Sequence, residues 1–301
     1  MADALQPITS GVMRTLQELV SGFLPLSARD LKREIADRLA RIPNRINDYG
    51  YDAYGFSPKW MQSMAVPGVL LYRHYFRSVC FDIDRLPLGR MLLVANHAGQ
   101  LPFDGAMIST ALLMEADPPR IARGMAEYFI PRLPWLNVAL TRSGSLVGTP
   151  ENCIHMLENE ECVMVFPEGV RGINKPFYKR YQLQRFGLGF MRLALETGTP
   201  IVPVGVVGSE EQQPGLANLE GLGRMLGMPA FPITIGFPWL GPLGLLPLPV
   251  KYRLYFGKPL LFEGDAHDDD RVIEARVEQV KQALSALLER GRRERTGIFT
   301  G

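Results

Sequence analysis

Cysteine is scarce in this 301-residue chain, and its three copies, Cys80, Cys153 and Cys162, stand far apart. An odd number of widely spaced cysteines gives neither a disulfide framework nor a zinc-ligand pattern, so we expect a chain of the reducing cytosol. The four histidines show no ligand spacing such as H-E-x-x-H, and the sequence therefore predicts no metal site.

An excess of charge of either sign is also missing. Lys and Arg total 33 against 31 Asp and Glu, which leaves a formal net charge of +2. A nucleic-acid-binding domain normally carries a basic stripe, so this balance argues against nucleic acid as a partner. Hydrophobic residues make up 47% and charged residues 21%, and these near-average values exclude a disordered or fibrous chain.

Signals for export or for crossing a membrane are weak. The first 22 residues lack a basic segment followed by an apolar core and a cleavage site, so no secretory signal is expected. The longest uncharged run, Met225–Val250, has 26 residues, but six prolines and four glycines interrupt it. Because a chain in hydrocarbon must satisfy its own backbone hydrogen bonds, we expect an irregular apolar flap there and not a transmembrane span.

The signatures of several enzyme classes are absent. There is no G-x-S-x-G elbow of serine hydrolases, and no cysteine follows a predicted strand beside a histidine. Walker and Rossmann glycine fingerprints are missing as well. The sequence therefore predicts neither a protein nucleophile nor a resident cofactor.

Two amphipathic helices are predicted near the N-terminus, over about residues 5–23 and 30–42. Each is interpreted either as a helix that covers a core or as one that lies on an anionic membrane surface. Turn-forming residues 47–52 follow the second helix. We assign residues 1–77 to an N-terminal helical extension and residues 78–301 to the main domain.

From residue 78 onward short apolar strands alternate with helices. This alternation predicts an α/β fold with a mainly parallel, mixed sheet flanked by helices. A last helix is expected to be capped by the acidic run 268–270, which we interpret as a cap and not as a metal site. The predicted strands are Val79–Ile83, Met91–Ala95, Cys162–Phe166, Ile201–Val207 and Tyr252–Phe256, and the helices between them are Asp104–Met114, one around Ile154–Leu157, and Gly187–Glu196.

Polar residues cluster where three of these strands end. Sites in open α/β sheets form outside the carboxyl ends of the strands, so we expect the clusters to converge. The first holds Asn96 and His97, the second Pro167, Glu168, Gly169 and Arg171, and the third Ser209, Glu210 and Glu211.

His97 and Asp104 form the pair best suited to chemistry. A neutral imidazole accepts a proton from an alcohol near neutral pH, and a carboxylate on its other nitrogen fixes the tautomer. The alternative is structural, with His97 bonded to backbone groups and Asp104 as a helix cap. Since no protein nucleophile is predicted, a catalytic His97 would activate a hydroxyl of the substrate for direct transfer.

Basic residues surround the second and third clusters. Arginine forms bidentate contacts with phosphate or carboxylate, and lysine acts as a point charge. A solvated basic face is the other interpretation of the stretch 175–185. The set comprises Arg142, Arg171, Lys175, Lys179, Arg180 and Arg185.

The ordered motifs N-H…D, F-P-E-G-x-R, F-G-L-G-F-x-R-L-A-L and P-I-V-P-V resemble the glycerolipid (lysophospholipid) acyltransferases over about residues 78–260. The resemblance extends to 1-acylglycerol-3-phosphate acyltransferases and is nearest to the monoacylglycerol- and diacylglycerol-acyltransferase-like branch. It implies transfer of a fatty acyl group from acyl-CoA or acyl-carrier protein to a hydroxyl of a lysophospholipid or acylglycerol. A non-catalytic lipid- or acyl-CoA-binding protein and an acyl-thioester hydrolase are the alternatives.

The resemblance also implies roles for individual residues. His97 is similar to the catalytic base and Asp104 to its partner, although the family has four residues between them and this chain has six, residues 98–103. Gly99 and Pro102 allow a looped-out turn that would restore the contact. Substrate-binding positions of the family correspond to Arg142 for phosphate, Glu168, Gly169 and Arg171 for the acceptor, and Pro203 for the acyl chain or donor.

An acceptor with acyl chains resides in a bilayer, so the resemblance implies a peripheral enzyme at the cytoplasmic face of a membrane. We expect the flap to insert at the interface while Arg224, Lys251 and Arg253 meet anionic headgroups. A buried cover over an acyl tunnel is the alternative. The inserting side chains would be Phe231, Phe237, Trp239, Leu240, Leu243, Leu245, Leu246 and Leu248.

Overall fold

A computed structural model describes residues 28–43, 46–99, 101–128, 135–173, 175–225 and 231–300, in which helices and strands alternate. The helices are α1 Ala28–Ala40, α2 Pro58–Leu70, α3 Phe103–Met114, α4 Leu136–Arg142, α5 Pro150–Glu158, α6 Val170–Ile173, α7 Gly189–Thr197, α8 Ser209–Gln212, α9 Glu220–Met225 and α10 Asp270–Glu294. The strands are β1 Val79–Phe81, β2 Met91–Ala95, β3 Ala122–Ala126, β4 Leu146–Val147, β5 Cys162–Val165, β6 Ile201–Val207, β7 Gly215–Leu219, β8 Phe231–Thr234 and β9 Arg253–Phe256. The helix predicted over residues 5–23 lies outside the described residues.

Seven strands form one sheet in the order β1-β9-β6-β2-β5-β3-β4. Neighbouring strands are parallel except β6 and β9, which are antiparallel. Strands β7 and β8 form a separate antiparallel pair. This arrangement confirms the predicted α/β fold with a mainly parallel, mixed sheet.

The side chains of β2 show how helices cover both faces of the sheet. Met91, Leu93 and Ala95 pack in one core cluster with side chains of α3. Leu92 and Val94 point to the other face and pack in a second cluster with side chains of α5, α7 and α10. Successive residues of a strand alternate between faces, so a run of five apolar residues is buried on both.

Helix α1 settles one of the alternatives left open for the N-terminal part of the chain. Leu31, Ile35 and Leu39 are buried in a core cluster shared with α2 and α3, so for this helix the core-covering interpretation is confirmed. Its Arg38 donates to the carbonyl oxygens of Leu113 and Ala116 at the end of α3, at 2.8 and 2.6 Å. The domain division after residue 77 stays a prediction.

Helix α2 was not predicted, because Pro58, Pro67 and Gly68 are residues that usually disfavour helices. Pro58 lies in the first turn, where its missing N–H leaves no bond unmade, and the side chain of Ser57 caps the helix by accepting from the N–H of Trp60. A π-helical turn, Leu71–Tyr75, continues the helix beyond its interior proline.

The flap is more regular than its proline content suggested. Its residues 231–234 form β8, and residues 241–245 form a 3₁₀ helix, so the flap predicted to be irregular contains two short regular elements. Pro232 is tolerated in β8 because that strand pairs on one side only, with β7. In the described residues no helix is both long and apolar enough to cross a membrane.

Candidate active site

The polar clusters after β2 and β5 meet directly, as the parallel pairing of these strands predicts. The backbone N–H of His97 donates to Glu168 Oε1 at 3.1 Å, and Glu168 Oε2 accepts from the N–H of Gln184 at 2.7 Å. Glu168 is buried, and each of its carboxylate oxygens therefore fixes a backbone segment. This contact holds the main chain of His97 in place.

His97 and Asp104 are in hydrogen-bond contact, with 2.7 Å between Nδ1 and Asp104 Oδ2. The imidazole Nδ1–H donates to the carboxylate, so in the neutral ring Nε2 carries the lone pair that accepts a proton. Asp104 is fully buried, whereas 13% of the His97 side chain remains exposed. The pair is thus sheltered but reachable from outside.

The six-residue connection between them closes on itself. Asp104 Oδ2 also accepts from the N–H of Ala98 at 3.0 Å, and the N–H of Phe103 donates to the Leu101 carbonyl at 2.8 Å. Gly99 has a φ of +80°, a left-handed conformation that favours glycine. His97 and Ala98, at the start of the connection, thus both bond to Asp104 at its end.

Packing fixes the plane of the imidazole. The ring stacks on Phe166, with 4.2 Å between centroids and 24° between planes. Gly172 of α6 lies so close that a Cβ on it would be 2.7 Å from the His97 carbonyl oxygen and 3.1 Å from His97 Cβ. A side chain at position 172 would displace the histidine.

Electrostatics favour the protonated form of the ring. Burial lowers the pKa of His97, but the negative charge of Asp104 and the hydrogen bond to it outweigh burial, and Glu168 and Glu127 add to them. The pKa of His97 is therefore raised above its ordinary value. A base of raised pKa holds an abstracted proton more strongly.

The cluster after β6 holds the basic segment 175–184 in place. Glu210 Oε1 accepts from Lys175 Nζ at 2.7 Å and from the N–H of Tyr181 at 3.1 Å, and the hydroxyl of Tyr181 donates to Glu211 Oε2 at 2.5 Å. Burial raises the pKa of Glu210 to about 7, although Lys175 opposes the shift. Lys175 was predicted to bind substrate, but the structure buries it in this ion pair, so its charge serves the fold.

Arg142, predicted to bind phosphate, lies away from His97. It ends α4 with its guanidinium over the rings of Tyr51 and Trp60, 5.7 and 5.1 Å from their centroids. Arg142 therefore lies near the start of β3, where Arg123 is buried. His97 lies at the opposite ends of these parallel strands, because it follows the last residue of β2. The helix after β3 carries Arg142 back across the sheet, and the structure does not bring it to the site.

The remaining predicted substrate-binding residues divide into two groups. Arg185 is three-quarters exposed and pairs with Glu274 of α10, and Pro203 is buried inside β6 in register with Val94, so neither contacts His97. Gly169, Arg171 and Lys179 lie on the His97 side. Gly169 has a φ of +53° and turns the chain from Glu168 into α6, Arg171 is exposed on α6, and Lys179 is exposed beside the ring of Tyr178.

Several residues at the site were not given a role by sequence reasoning. Phe166 and Gly172 lie in or next to the motif F-P-E-G-x-R, and only the fold shows that Phe166 stacks on the imidazole and that Gly172 packs against the backbone oxygen and Cβ of His97. Gln212 and Gln213 follow the third cluster directly and contact the looped connection. Among the described residues no group of three or more His, Cys, Asp or Glu side chains is arranged to hold a metal ion.

Comparisons with known proteins agree with the family resemblance of the sequence motifs. The family model Acyltransferase matches residues 78–207. An uncharacterized protein of Mycobacterium tuberculosis is 38% identical over 279 residues, 90% of this chain and 78% of its own length. A mouse protein named DGAT1/2-independent enzyme synthesizing storage lipids is 24% identical over 219 residues, 70% of this chain and 59% of its own.

Among solved structures, the LPA acyltransferase PlsC of Thermotoga maritima is similar with a TM-score of 0.48 and 19% identity, over 75% of this chain and 79% of its own. The family match begins where the αβ pattern begins and includes His97, Asp104 and Glu168. From the family match and the relatives along most of its length, the chain belongs to the acyltransferase family.

Proposed function

We propose that the chain transfers a fatty acyl group from an acyl thioester, acyl-CoA or acyl-carrier protein, to a hydroxyl of a glycerolipid. The observation that carries the proposal is the 2.7 Å contact between His97 Nδ1 and Asp104 Oδ2, which leaves Nε2 as the proton acceptor on a partly exposed ring. The longer connection between the two residues was the reason to consider a non-catalytic binding protein. The contact forms despite that length, which supports catalysis over binding alone.

The proposed reaction proceeds by direct attack. The acceptor hydroxyl donates its proton to His97 Nε2 while its oxygen attacks the thioester carbonyl, and Asp104 stabilises the resulting imidazolium. The tetrahedral intermediate collapses by breaking the carbon–sulfur bond, and the thiolate takes the proton back from His97. A thiol has an ordinary pKa of about 8.5, so it leaves with little protonation, and one base suffices.

Arg171 is the cation that we propose for the negative charge of the substrate. It is exposed on α6, and its neighbour Gly172 packs directly against His97. Lys179 and Arg180 are exposed on the segment that the buried carboxylates hold. These three charges suit a phosphate of the donor or of a lysophospholipid.

The flap is the surface that we propose for contact with the bilayer, where the enzyme would act as a peripheral protein on the cytoplasmic side that holds both donors. Its exposed apolar side chains support insertion at the interface, and they are Met225, Ile235, Trp239, Leu240, Leu243 and Leu246. Phe231 and Phe237 instead pack on each other, with 5.2 Å between ring centroids. Arg253, expected at the headgroups, is buried and bonded to the Thr300 carbonyl at 2.9 Å, so that expectation is wrong.

The name of the mouse relative favours a neutral acylglycerol as acceptor, while the exposed basic residues favour a lysophospholipid. The test is release of free thiol and formation of labelled ester by purified protein, with either donor and with lysophosphatidate, monoacylglycerol or diacylglycerol. We expect acceptor-dependent transfer that His97→Ala reduces about 10²–10⁴-fold.

His155→Ala is the matched control, because His155 bonds the hydroxyl of Tyr54 at 2.8 Å on the opposite edge of the sheet. Full activity of His97→Ala would overturn the mechanism. Thiol release that needs no acceptor would identify a thioester hydrolase.

A further inference from the structure

Two adjacent glutamines, Gln212 and Gln213, stand between the looped connection and the flap. They follow β6, and their exposed fractions are 0% and 4%. A buried side-chain amide must find partners for both its oxygen and its NH₂ group, because an unsatisfied polar group in the interior is costly. Their partners therefore show what these residues hold together.

On one side, the two glutamines hold both backbone groups of Leu101. Gln212 Nε2 donates to the Leu101 carbonyl at 3.1 Å, and the Leu101 N–H donates to Gln213 Oε1 at 3.1 Å. Gly99 packs against the same amide so tightly that a Cβ would lie 2.1 Å from Gln212 Nε2. The connection between His97 and Asp104 is thus bonded to, and packed against, these two glutamines.

On the other side, the same residues hold the flap. The N–H of Leu248 donates to the Gln212 carbonyl at 2.7 Å, and Gln213 Nε2 donates to the Leu245 carbonyl. Leu245 ends the 3₁₀ helix that exposes Leu243 to solvent. One surface of this helix is therefore apolar and exposed, while its last residue is bonded to Gln213.

We propose that Gln212 and Gln213 are positioning residues that hold the His97–Asp104 connection in shape and couple it to the seating of the flap on a lipid surface. The coupling rests on the acyl-transfer function proposed above. Gln212 uses its amide NH₂ on the connection, whereas Gln213 uses its oxygen on the connection and its NH₂ on the flap. A displacement of about 1 Å at a reacting group costs on the order of 10²-fold in rate, so small shifts of this loop matter.

Uncharged variants test the positioning role. Gln212→Met and Gln213→Met keep the volume. The first removes the bonds of the amide to the Leu101 carbonyl and to the hydroxyl of Tyr252, and the second removes those to the Leu101 N–H and the Leu245 carbonyl. We expect kcat to fall about 10- to 100-fold with KM for the thioester unchanged. We also expect the midpoint of the acidic limb of the kcat–pH profile to move to lower pH, because His97 loses its contact with Asp104 and its pKa falls. Gln62→Met is the control, because Gln62 donates to the Lys32 carbonyl at 3.3 Å on the N-terminal helices.

Gln213→Glu tests the coupling and serves where the methionine variants do not fold. An ionised glutamate keeps an oxygen for the Leu101 N–H but has no donor for the Leu245 carbonyl, so the assay is run at a pH well above the pKa of a carboxyl group. We expect transfer to an acceptor in anionic vesicles to fall at least 10-fold relative to transfer to a short-chain acceptor dissolved as a monomer. An equal effect on both acceptors would overturn the coupling.

Titration of the His97 ring by NMR separates this inference from the proposed function, because it needs no turnover. A lower pKa of His97 in Gln212→Met than in the wild type supports positioning even if no acceptor is acylated, and that second result would refute the proposed function alone. An active enzyme whose His97 pKa and pH midpoint stay unchanged in both methionine variants would overturn the positioning role.

Discussion

The side-chain amide of Asn96 forms two hydrogen bonds with the backbone of Val206, donating to its carbonyl oxygen at 3.1 Å and accepting from its N–H at 2.8 Å. The amide thus continues the contact between β2 and β6 beyond the last residue of β2. His97 leaves the sheet directly after this fixed point, which sets where its side chain begins.

Asn96→Ala should lower the free energy of unfolding by about 2–3 kcal/mol, because two buried backbone groups of Val206 lose their partners. Urea denaturation measures the effect. Asn159→Ala is the control, since Asn159 is exposed and donates to the His155 carbonyl at 2.7 Å. Equal stability of the Asn96 variant and the control would show that the two bonds carry no net free energy.

Asp104→Asn should reduce kcat on the order of 10²–10⁴-fold and shift its pH dependence. The charge of Asp104 raises the pKa of His97 while burial lowers it, so without the charge the pKa falls. The neutral imidazole then persists to lower pH, and the residual activity should have a midpoint at lower pH than in the wild type. A pH–rate profile at saturating substrate measures this, and a midpoint shifted upward would contradict it.

Gly172→Ala should lower kcat while the protein stays folded. The added Cβ would lie 2.7 Å from the His97 carbonyl oxygen and 3.0 Å from Glu168 Cβ, so His97 has to move. Gly189→Ala is the matched control, because no atom lies within 4 Å of the Cβ it would add. Steady-state kinetics with circular dichroism on both variants decides the matter, and equal kcat values would show that the site absorbs the methyl group.

Lys175→Met should cost stability and leave the KM for substrates unchanged, because Lys175 is buried against Glu210. Breaking a buried pair costs about 3–5 kcal/mol. Glu210 has its pKa raised to about 7 in the folded protein against an ordinary 4.5, so the folded form binds this proton more tightly. Loss of the lysine raises that pKa further. Below about pH 7 Glu210 is protonated in both folded proteins, so the difference in unfolding free energy from wild type should stay constant there and grow as the pH rises above about 7.

Lys179→Met is the control for that experiment, because Lys179 is exposed. It should leave stability unchanged and raise the KM of a phosphate-bearing substrate. The opposite pattern, a raised KM for Lys175→Met at unchanged stability, would show that Lys175 binds substrate.

Trp239→Glu should weaken binding to anionic vesicles in a flotation assay, because it places a charge on the most exposed aromatic ring of the flap. Tyr49→Glu is the control, since Tyr49 is also exposed but lies on the N-terminal turn. Salt-resistant binding that is equal in wild type and both variants would assign membrane contact to another surface.

Local sequence pattern predicted five of the seven strands of the main sheet and missed β3 and β4. The apolar runs 91–95 and 201–207 became β2 and β6 residue for residue, and the final helix is capped by Asp269, whose side chain accepts from the N–H of Arg271. A pattern of apolar residues is read from neighbouring positions, so it predicts an element well where that element is buried along its whole length. The pattern did not predict α2, because Pro58, Pro67 and Gly68 argued against a helix that nevertheless forms.

The partners of charged side chains could not be predicted in the same way. Lys175 and Glu210 are 35 residues apart, and Arg185 and Glu274 are 89 apart. The residues around a lysine do not indicate whether its counter-ion is a substrate or a glutamate elsewhere in the chain. The contact between His97 and Asp104 could be predicted because the two residues are only seven positions apart. The support from Gln212 and Gln213 could not be predicted, and only the structure shows it.

The carboxylates of Glu168, Glu210 and Glu211 anchor the segment 175–184 from within, through the N–H groups of Gln184 and Tyr181 and the side chains of Lys175 and Tyr181. None of these bonds uses the outward side chains at positions 178–180. The tip of the segment is therefore free to change in evolution or by design without loosening its base. Under the proposed function, these exposed positions are where a changed preference for the substrate's phosphate would be selected, without altering the bonds that hold His97.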